Sequence, residues 1–493
     1  MRGLFLALAT LLAFASASPA EETALGPPGP RGDVSVSTLR PTGAANAATL
    51  ADAAVLNGIN ALFHVPVASV VAGLDVAAPM RQAVAAARAA GRPLIIPSVA
   101  GGACFRIGSS LDIARVEIVG AGGCVTTSAP TDLFVTTDTL AKVHDLTILH
   151  DGPAGRVFAL NHDAHEIYRN RITARNGANP DPVIEFTASN VHIHDNSITN
   201  LRPGALTWRQ IRNDPARISI NNQVIRNSMG GTGSGGWIGD SGTAARPEGT
   251  LVAFNESVLT GGPFLTLSSV MSARVFGNMM DQNDARGALR FEPGGYGGYG
   301  IDGVLVSGNY ISAVGGKAKA PAIQNQAGRN GAVAGGVRFI GNDIAFGTMG
   351  ASLVPGITAS FVGNYMHGHA AGHCVQFSDA ALLGTVDLGP ADQCPGKNHL
   401  LITGHPLAGA TRSTRLGTYA TATGGGYLSI AHGLAAIPTK FKLGASAYGA
   451  GAAAISGVSV FVVSVDPTNV VVAVTPTGIR SQGNIVVTLE SEL

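Results

Sequence analysis

Ile167-Tyr-Arg-Asn170-Arg-Ile172 is followed a short way on by Ile193-His-Asp-Asn196-Ser-Ile198. The phrase is an aliphatic residue, two others, Asn, one more, and a second aliphatic. It returns as Val275-Phe-Gly-Asn278-Met-Met280, Val306-Ser-Gly-Asn309-Tyr-Ile311, Phe339-Ile-Gly-Asn342-Asp-Ile344 and Phe361-Val-Gly-Asn364-Tyr-Met366. Two looser copies stand between, with Gln223 in the Asn place and Asn255 shifted by one. The steps are then 26, 27, 32, 23, 31, 33 and 22 residues. Self-similarity at such a period marks a solenoid. The phrase is too short for a helix, and its apolar residues alternate as in strands broken by a turn residue. The expected fold is all-β: a right-handed, single-stranded parallel β-helix.

Asn suits the corner of a coil. It tolerates the left-handed backbone region, and its side chain can bond neighbouring backbone. Stacked on the next coil, its amide can bond the Asn above. Gly277, Gly308, Gly341 and Gly363 precede four of these Asn, as a tight turn requires. The repeat also aligns Asp145, Arg169 and Asp195 in one column, read as an alternating-charge stack, with His144, Tyr168 and His194 in the next. His192 and His194 share a strand face, but no carboxylate or Cys joins them at ligand spacing. No metal site is assigned.

Gly supplies 66 of the 493 residues, charged residues 13% and aromatics 5%. That composition suits short strands and many turns. Net charge is +1 and no basic run exists, which gives no footprint for nucleic acid. Residues 1–20 read as a secretory signal: Arg2, an apolar run from Leu4 to Ala15, then small residues before Ala17 or Ala20. The run is too short for a membrane span and no later stretch qualifies. The expected location is therefore extracellular. Four cysteines fall into two pairs, each separated by 20 residues, close to one short coil. Coils stack roughly 4.8 Å apart, within disulfide reach. Bonds Cys104–Cys124 and Cys374–Cys394 are expected, one at each end of the solenoid.

Residues 21–75 form an Ala-rich leader that opens with a short collagen-like stretch. Residues 76–402 are the solenoid. It begins with a helix over 78–90, whose apolar face (Met80, Ala83, Val84, Ala87) caps the core, and the buried strand Leu94-Ile-Ile-Pro97. Three Gly-rich turns, 229–249, 282–303 and 313–336, are long enough to carry function. Residues 403–426 are a linker. Residues 427–493 alternate apolar and polar positions and form a small C-terminal antiparallel, β-sandwich-like domain.

The densest chemistry-bearing cluster is Asp281-Gln-Asn-Asp284-Ala-Arg286, continued by Arg290-Phe-Glu292 and ending at Asp302. Glycoside hydrolysis needs two carboxyls flanking the scissile bond. Asp281, Asp284, Glu292 and Asp302 are the catalytic candidates, with Arg286, Arg290, Tyr296, Tyr299 and Trp237 as substrate contacts. Asp240, Arg246 and Glu248 stand near Trp237 in the chain. The same cluster also reads as a solvated loop with surface ion pairs, each worth under about 1 kcal/mol. Trp208 reads equally as packing or as a sugar platform.

Three stretches carry a family resemblance: Ser37 to Ala51, Met80 to Pro97, and Ile430-Ala-His-Gly-Leu-Ala-Ala-Ile-Pro438. With the repeat, they make the chain similar to the pectate-lyase-like superfamily of right-handed β-helices, and more narrowly to phage tail-spike-like proteins. The resemblance implies a homotrimer and a flank groove that binds, and in many members cleaves, a polysaccharide by hydrolase or lyase chemistry. No cofactor is implied, apart from calcium where the chemistry is that of a lyase. The polygalacturonase motifs are absent from the sequence. The competing expectation is a non-catalytic adhesin, surface protein or spike-like stalk.

Overall fold

A computed structural model describes residues 57–379 apart from 213–218, 241–245, 283–286, 295–298 and 314–319. Beyond 379 it describes chiefly 385–389, 392–395, 397–402, 412–421, 426–431, 440–448, 457–466, 469–477 and 483–492. The 1–20 signal, the leader up to residue 56, the stretch Ser37 to Ala51, and Asp284, Arg286 and Tyr296 all lie outside the described residues.

The chain winds as a right-handed parallel β-helix with three sheets. One coil shows the plan. Glu166–Tyr168 lies in sheet A, Arg171–Ala174 in sheet B after a sharp corner, and Ile184–Phe186 in sheet C. Each strand pairs in parallel with its counterparts one coil before and after, as Ile167 does with Val143 and Ile193. Inward positions form one continuous core that includes Ile167, Ile172, Val275, Phe291, Phe339 and Phe361.

The Asn column is the spine of the A–B corner. Asn170, Asn196, Asn227, Asn255, Asn278, Asn309, Asn342 and Asn364 are all buried. Each side-chain Nδ2 donates to the Oδ1 of the next member, at 2.9–3.1 Å. Each backbone N–H donates to that same oxygen, at 2.9–3.1 Å. Asp392 accepts the last pair, from the N–H and Nδ2 of Asn364, at 2.7 and 2.9 Å.

Two expectations about this column are corrected. Gln223 is not in the Asn place: it lies in the sheet A strand Gln223–Ile225, and Val224-Ile-Arg-Asn227-Ser-Met229 is the copy in register. Asn255 is not shifted, since it bonds Asn278 directly. Nor do the Asn residues take the positive φ. The residue before each does: Arg169, Asp195, Arg226 and Phe254, then Gly277, Gly308, Gly341 and Gly363, with φ between 51° and 67°. A non-Gly residue there costs about 1–2 kcal/mol. At the four successive corners held by Asp145, Arg169, Asp195 and Arg226, all at positive φ, this backbone carries an ion-pair column instead of glycine. Arg169 clasps Asp145 at 2.8–2.9 Å and Arg226 clasps Asp195 at 2.7–2.8 Å. Beside it the rings of His144, Tyr168 and His194 stack at 4.5 and 5.0 Å.

The helix forms over Ala77–Ala90 and ends at Gly91 in the left-handed conformation. It buries Ala77, Met80, Ala83, Val84 and Ala87 in the solenoid core. The solenoid begins earlier than expected. Ile59–Asn60 pairs with Leu94 and Ile95 in sheet A, and Leu62, Val65 and Val70 join the core, so residues 59–75 are not leader. Both disulfides form, with Cα–Cα distances of 4.7 Å for Cys104–Cys124 and 6.1 Å for Cys374–Cys394.

The long Gly-rich turns also differ from expectation, because each contains sheet C structure: Ser234–Asp240, Leu289–Phe291 and Ile323–Asn325. At the C-terminus, Arg412–Thr421 pairs along its length with Gly483–Glu492, so part of the 403–426 linker is a strand. Two three-stranded antiparallel sheets make the last domain, around a core of Ile430, Val470, Val472, Val474, Val487 and Leu489. Among the described residues no helix is long and apolar enough to cross a membrane.

Candidate functional site

Sheet C presents one outward row whose members pair coil by coil: Glu185, Arg209, Trp237, Thr266, Arg290, Gln324, Ser352 and Gln376. Glu185 is buried and ion-paired with both Arg156 and Arg209. Arg156 also holds Asp132 at 2.7–2.9 Å. The hydrogen bonds that Arg156 donates to the Asp132 carboxylate keep its guanidinium protonated well above its usual range, against the opposing effect of burial.

Two tryptophans in neighbouring strands take opposite roles. Trp208 points inward and is 1% exposed, so it is core. It fits because Gly236 stands opposite in the next coil: a Cβ there would come 2.1 Å from the indole. Trp237 points outward and is half-buried. Its ring lies along its own strand over Gly239, where a Cβ would sit 2.2 Å from the ring. Each glycine clears room for one indole.

Next to Trp237 the flank sinks into a depression of about 90 Å³, lined by Trp237, Ser268, Glu292, Pro293, Gln326, Ala327 and Arg329. Trp237 lies within its sheet C strand and the other residues follow the sheet C strands of the next three coils. Ser268 Oγ donates to the Glu292 carbonyl at 3.0 Å. The Glu292 carboxylate is ion-paired with Arg290. Gly294, at φ 100°, turns the chain so that its N–H faces the carbonyls of Tyr299 and Ser268, at 2.9 and 3.2 Å.

The structure brings together Trp237, Glu292 and, through Glu292, Arg290. Tyr299 meets this group by its backbone. The other described acids of the cluster go elsewhere. Asp281 is on sheet B, where Ser312 Oγ donates to it at 3.3 Å. Asp302 is exposed on sheet A. Asp281, Glu292 and Asp302 therefore leave one coil from three different faces. Asp240 is buried, and Arg246 reaches the Gly300 carbonyl at 3.4 Å. Sequence reasoning missed Ser268, Gln326 and Arg329. The register of sheet C would have found the first two, since each lies two residues beyond an outward row member.

On sheet A, His144 bonds Asp145 at 2.7 Å and Glu117 at 3.0 Å. Burial opposes its protonation, but the two carboxylates outweigh it and raise its pKa. Burial lowers that of His192. Among the described residues no group of three or more His, Cys, Asp or Glu is arranged to hold a metal ion.

No protein-family model matches the chain, and no curated protein is similar to it in sequence. Solved structures are similar in fold. One is a mutant form of the tailspike protein of E. coli bacteriophage HK620 in complex with pentasaccharide, with TM-score 0.51, 11% identity, and coverage of 85% of this chain and 90% of that one. A second form of the same tailspike gives TM-score 0.50 at 11% identity, with the same coverage. The catalytic unit of a GH87 α-1,3-glucanase from Streptomyces thermodiastaticus gives TM-score 0.48 at 14% identity, covering 76% of this chain and 70% of that one. The chain thus has the right-handed β-helix architecture of tail-spike-like proteins.

Proposed function

We propose that this chain is an exported protein that binds an extracellular polysaccharide along sheet C, with Trp237 as its sugar platform. The observation that carries this reading is the indole itself. It lies along the strand over Gly239, beside a depression whose other walls are mainly polar. Aromatic faces take the apolar faces of sugar rings, while convergent polar groups fix hydroxyls. The parallel flank repeats such positions every coil, which suits a long polymer. The HK620 tailspike, solved with a pentasaccharide, supports the same reading. Two disulfides suit an oxidising, extracellular setting.

Binding is favoured over cleavage. Hydrolysis takes two carboxyls about the scissile bond. Among the described residues the depression holds one, Glu292, and it is ion-paired. The decisive experiment exposes the purified protein to a polysaccharide panel. Binding is measured by calorimetry. Cleavage is measured by new reducing ends and by the ultraviolet absorbance of unsaturated uronates, with calcium and with chelator. Retention without cleavage, weakened about tenfold in Trp237→Ala, supports the binder. Cleavage lost in Glu292→Gln would convert the reading to an enzyme, and binding unchanged in Trp237→Ala would refute the site.

A further inference from the structure

Charge around the depression is unevenly partnered. Glu292 is ion-paired with Arg290, and Glu185, farther along the same row, is held by two arginines. The carboxylates of this flank are thus compensated within the protein. Arg329 is not: it is exposed, lines the depression, and its guanidinium has no partner among the described residues. Its backbone, by contrast, is pinned. The Arg329 N–H donates to the Pro293 carbonyl at 3.0 Å, and its carbonyl accepts from Ala332 N–H at 3.0 Å. The neighbouring turn comes so close that a Cβ on Gly294 would lie 2.7 Å from the Arg329 carbonyl oxygen. A guanidinium without a counter-ion is therefore presented from fixed backbone at the rim of a depression that has an indole on another wall. The planar fork of Arg matches a carboxylate in two parallel hydrogen bonds.

We propose that the site takes an anionic polysaccharide, with a sugar ring against Trp237 and the carboxylate of that sugar, or of its neighbour, on Arg329. This rests on the reading of the depression as a glycan site. A neutral polymer would leave the guanidinium in water and gain nothing from it. A carboxylated one gains a charge-assisted pair next to an apolar surface that excludes solvent. Glu292 does not oppose this, because its charge is already matched by Arg290.

The test uses calorimetry on the purified protein with polygalacturonate, alginate and hyaluronan, the carboxyl-reduced form of each, and dextran sulfate. Wild type, Arg329→Ala, Arg329→Lys and Trp237→Ala are compared. An acidic polymer should bind wild type about tenfold more tightly than its reduced form. Arg329→Ala should lose that factor on the acidic polymer and nothing on the reduced one, and Lys should restore part of it. Equal loss on both forms, or equal wild-type affinity for both, overturns the proposal. Tighter binding of dextran sulfate than of every carboxylated polymer overturns the carboxylate assignment. If Trp237→Ala weakens binding while Arg329→Ala does not discriminate, the anionic proposal fails and the glycan site stands. If Trp237→Ala has no effect, or no polymer binds, both fail.

Discussion

Replacing Asn278 by Asp tests whether the amide column has a direction. Asn278 is 1% exposed. Its Oδ1 accepts from the N–H and Nδ2 of Asn255 at 3.0 and 2.9 Å, and an Asp oxygen would keep both bonds. Its Nδ2 faces only acceptors: Asn309 Oδ1 at 2.9 Å, the Val252 carbonyl at 2.9 Å and the Phe276 carbonyl at 3.1 Å. A carboxylate oxygen in that place meets three oxygens and no donor. The least costly response is to keep a proton, which restores one donor to Asn309. Holding an Asp protonated at pH 7 against an ordinary value near 4 costs about 4 kcal/mol, at roughly 1.4 kcal/mol per pH unit. One lost hydrogen bond adds about 1 kcal/mol. The folded-state pKa is raised, so the native state holds the proton that the unfolded chain has released, and stability falls as pH rises. Urea unfolding of Asn278→Asp beside wild type should show a deficit of about 5 kcal/mol at pH 7, shrinking to roughly 1 kcal/mol near pH 4. Asp392 is the complementary case. It ends the column, its Oδ2 is buried without a hydrogen-bond partner among the described residues, and burial raises its pKa. Asp392→Asn should be neutral or stabilising by about 1 kcal/mol at pH 7. A pH-independent deficit at 278, or an equal deficit at both positions, would refute the argument.

Trp237→Ala should weaken glycan binding about tenfold, and Gly239→Ala, which forces the indole off its strand, by a comparable factor with unchanged far-ultraviolet dichroism. Removing Cys104–Cys124 by a double Ser substitution should cost about 3 kcal/mol and raise amide exchange first in Phe105–Arg106 and Cys124–Thr127; uniform exchange along the solenoid would argue against a clamp at the end. His144 has a raised pKa, so its contribution is fully present below the unfolded value near 6.5 and is lost as pH rises through the folded one. His144→Gln should therefore destabilise more at pH 5.5 than at pH 9, and a proton titration of the ring should show a midpoint above 6.5.

The sequence displayed two sheets of the solenoid and concealed the third. Sheets A and B flank the buried Asn, whose amide chemistry leaves no freedom of residue type, so the phrase survives in recognisable form. The Asn227 copy escapes the spacing because coil length varies and Gln223 stands near the expected position. Sheet C strands such as Ser-Gly-Gly-Trp-Ile-Gly-Asp look like loops. Their glycines mark no turn: Gly236 and Gly239 make room for rings. The nominated acids failed to converge for a related reason. Asp281, Glu292 and Asp302 are neighbours in the chain, but a third of a coil carries each to a new face. Trp237 was legible as an aromatic among small residues. Arg329 was not, because it reaches the depression from a turn that no repeat register marks.

The spine also separates two properties that usually constrain each other. Successive Asn partners are as few as 22 and as many as 33 residues apart, yet the amide-to-amide distance stays between 2.9 and 3.1 Å. Loop length is therefore invisible to the corner. A foreign segment spliced between sheets B and C would alter neither the register nor the stacking of the coils above it. The molecule can thus acquire new recognition surfaces by simple lengthening, one coil at a time, without renegotiating its fold.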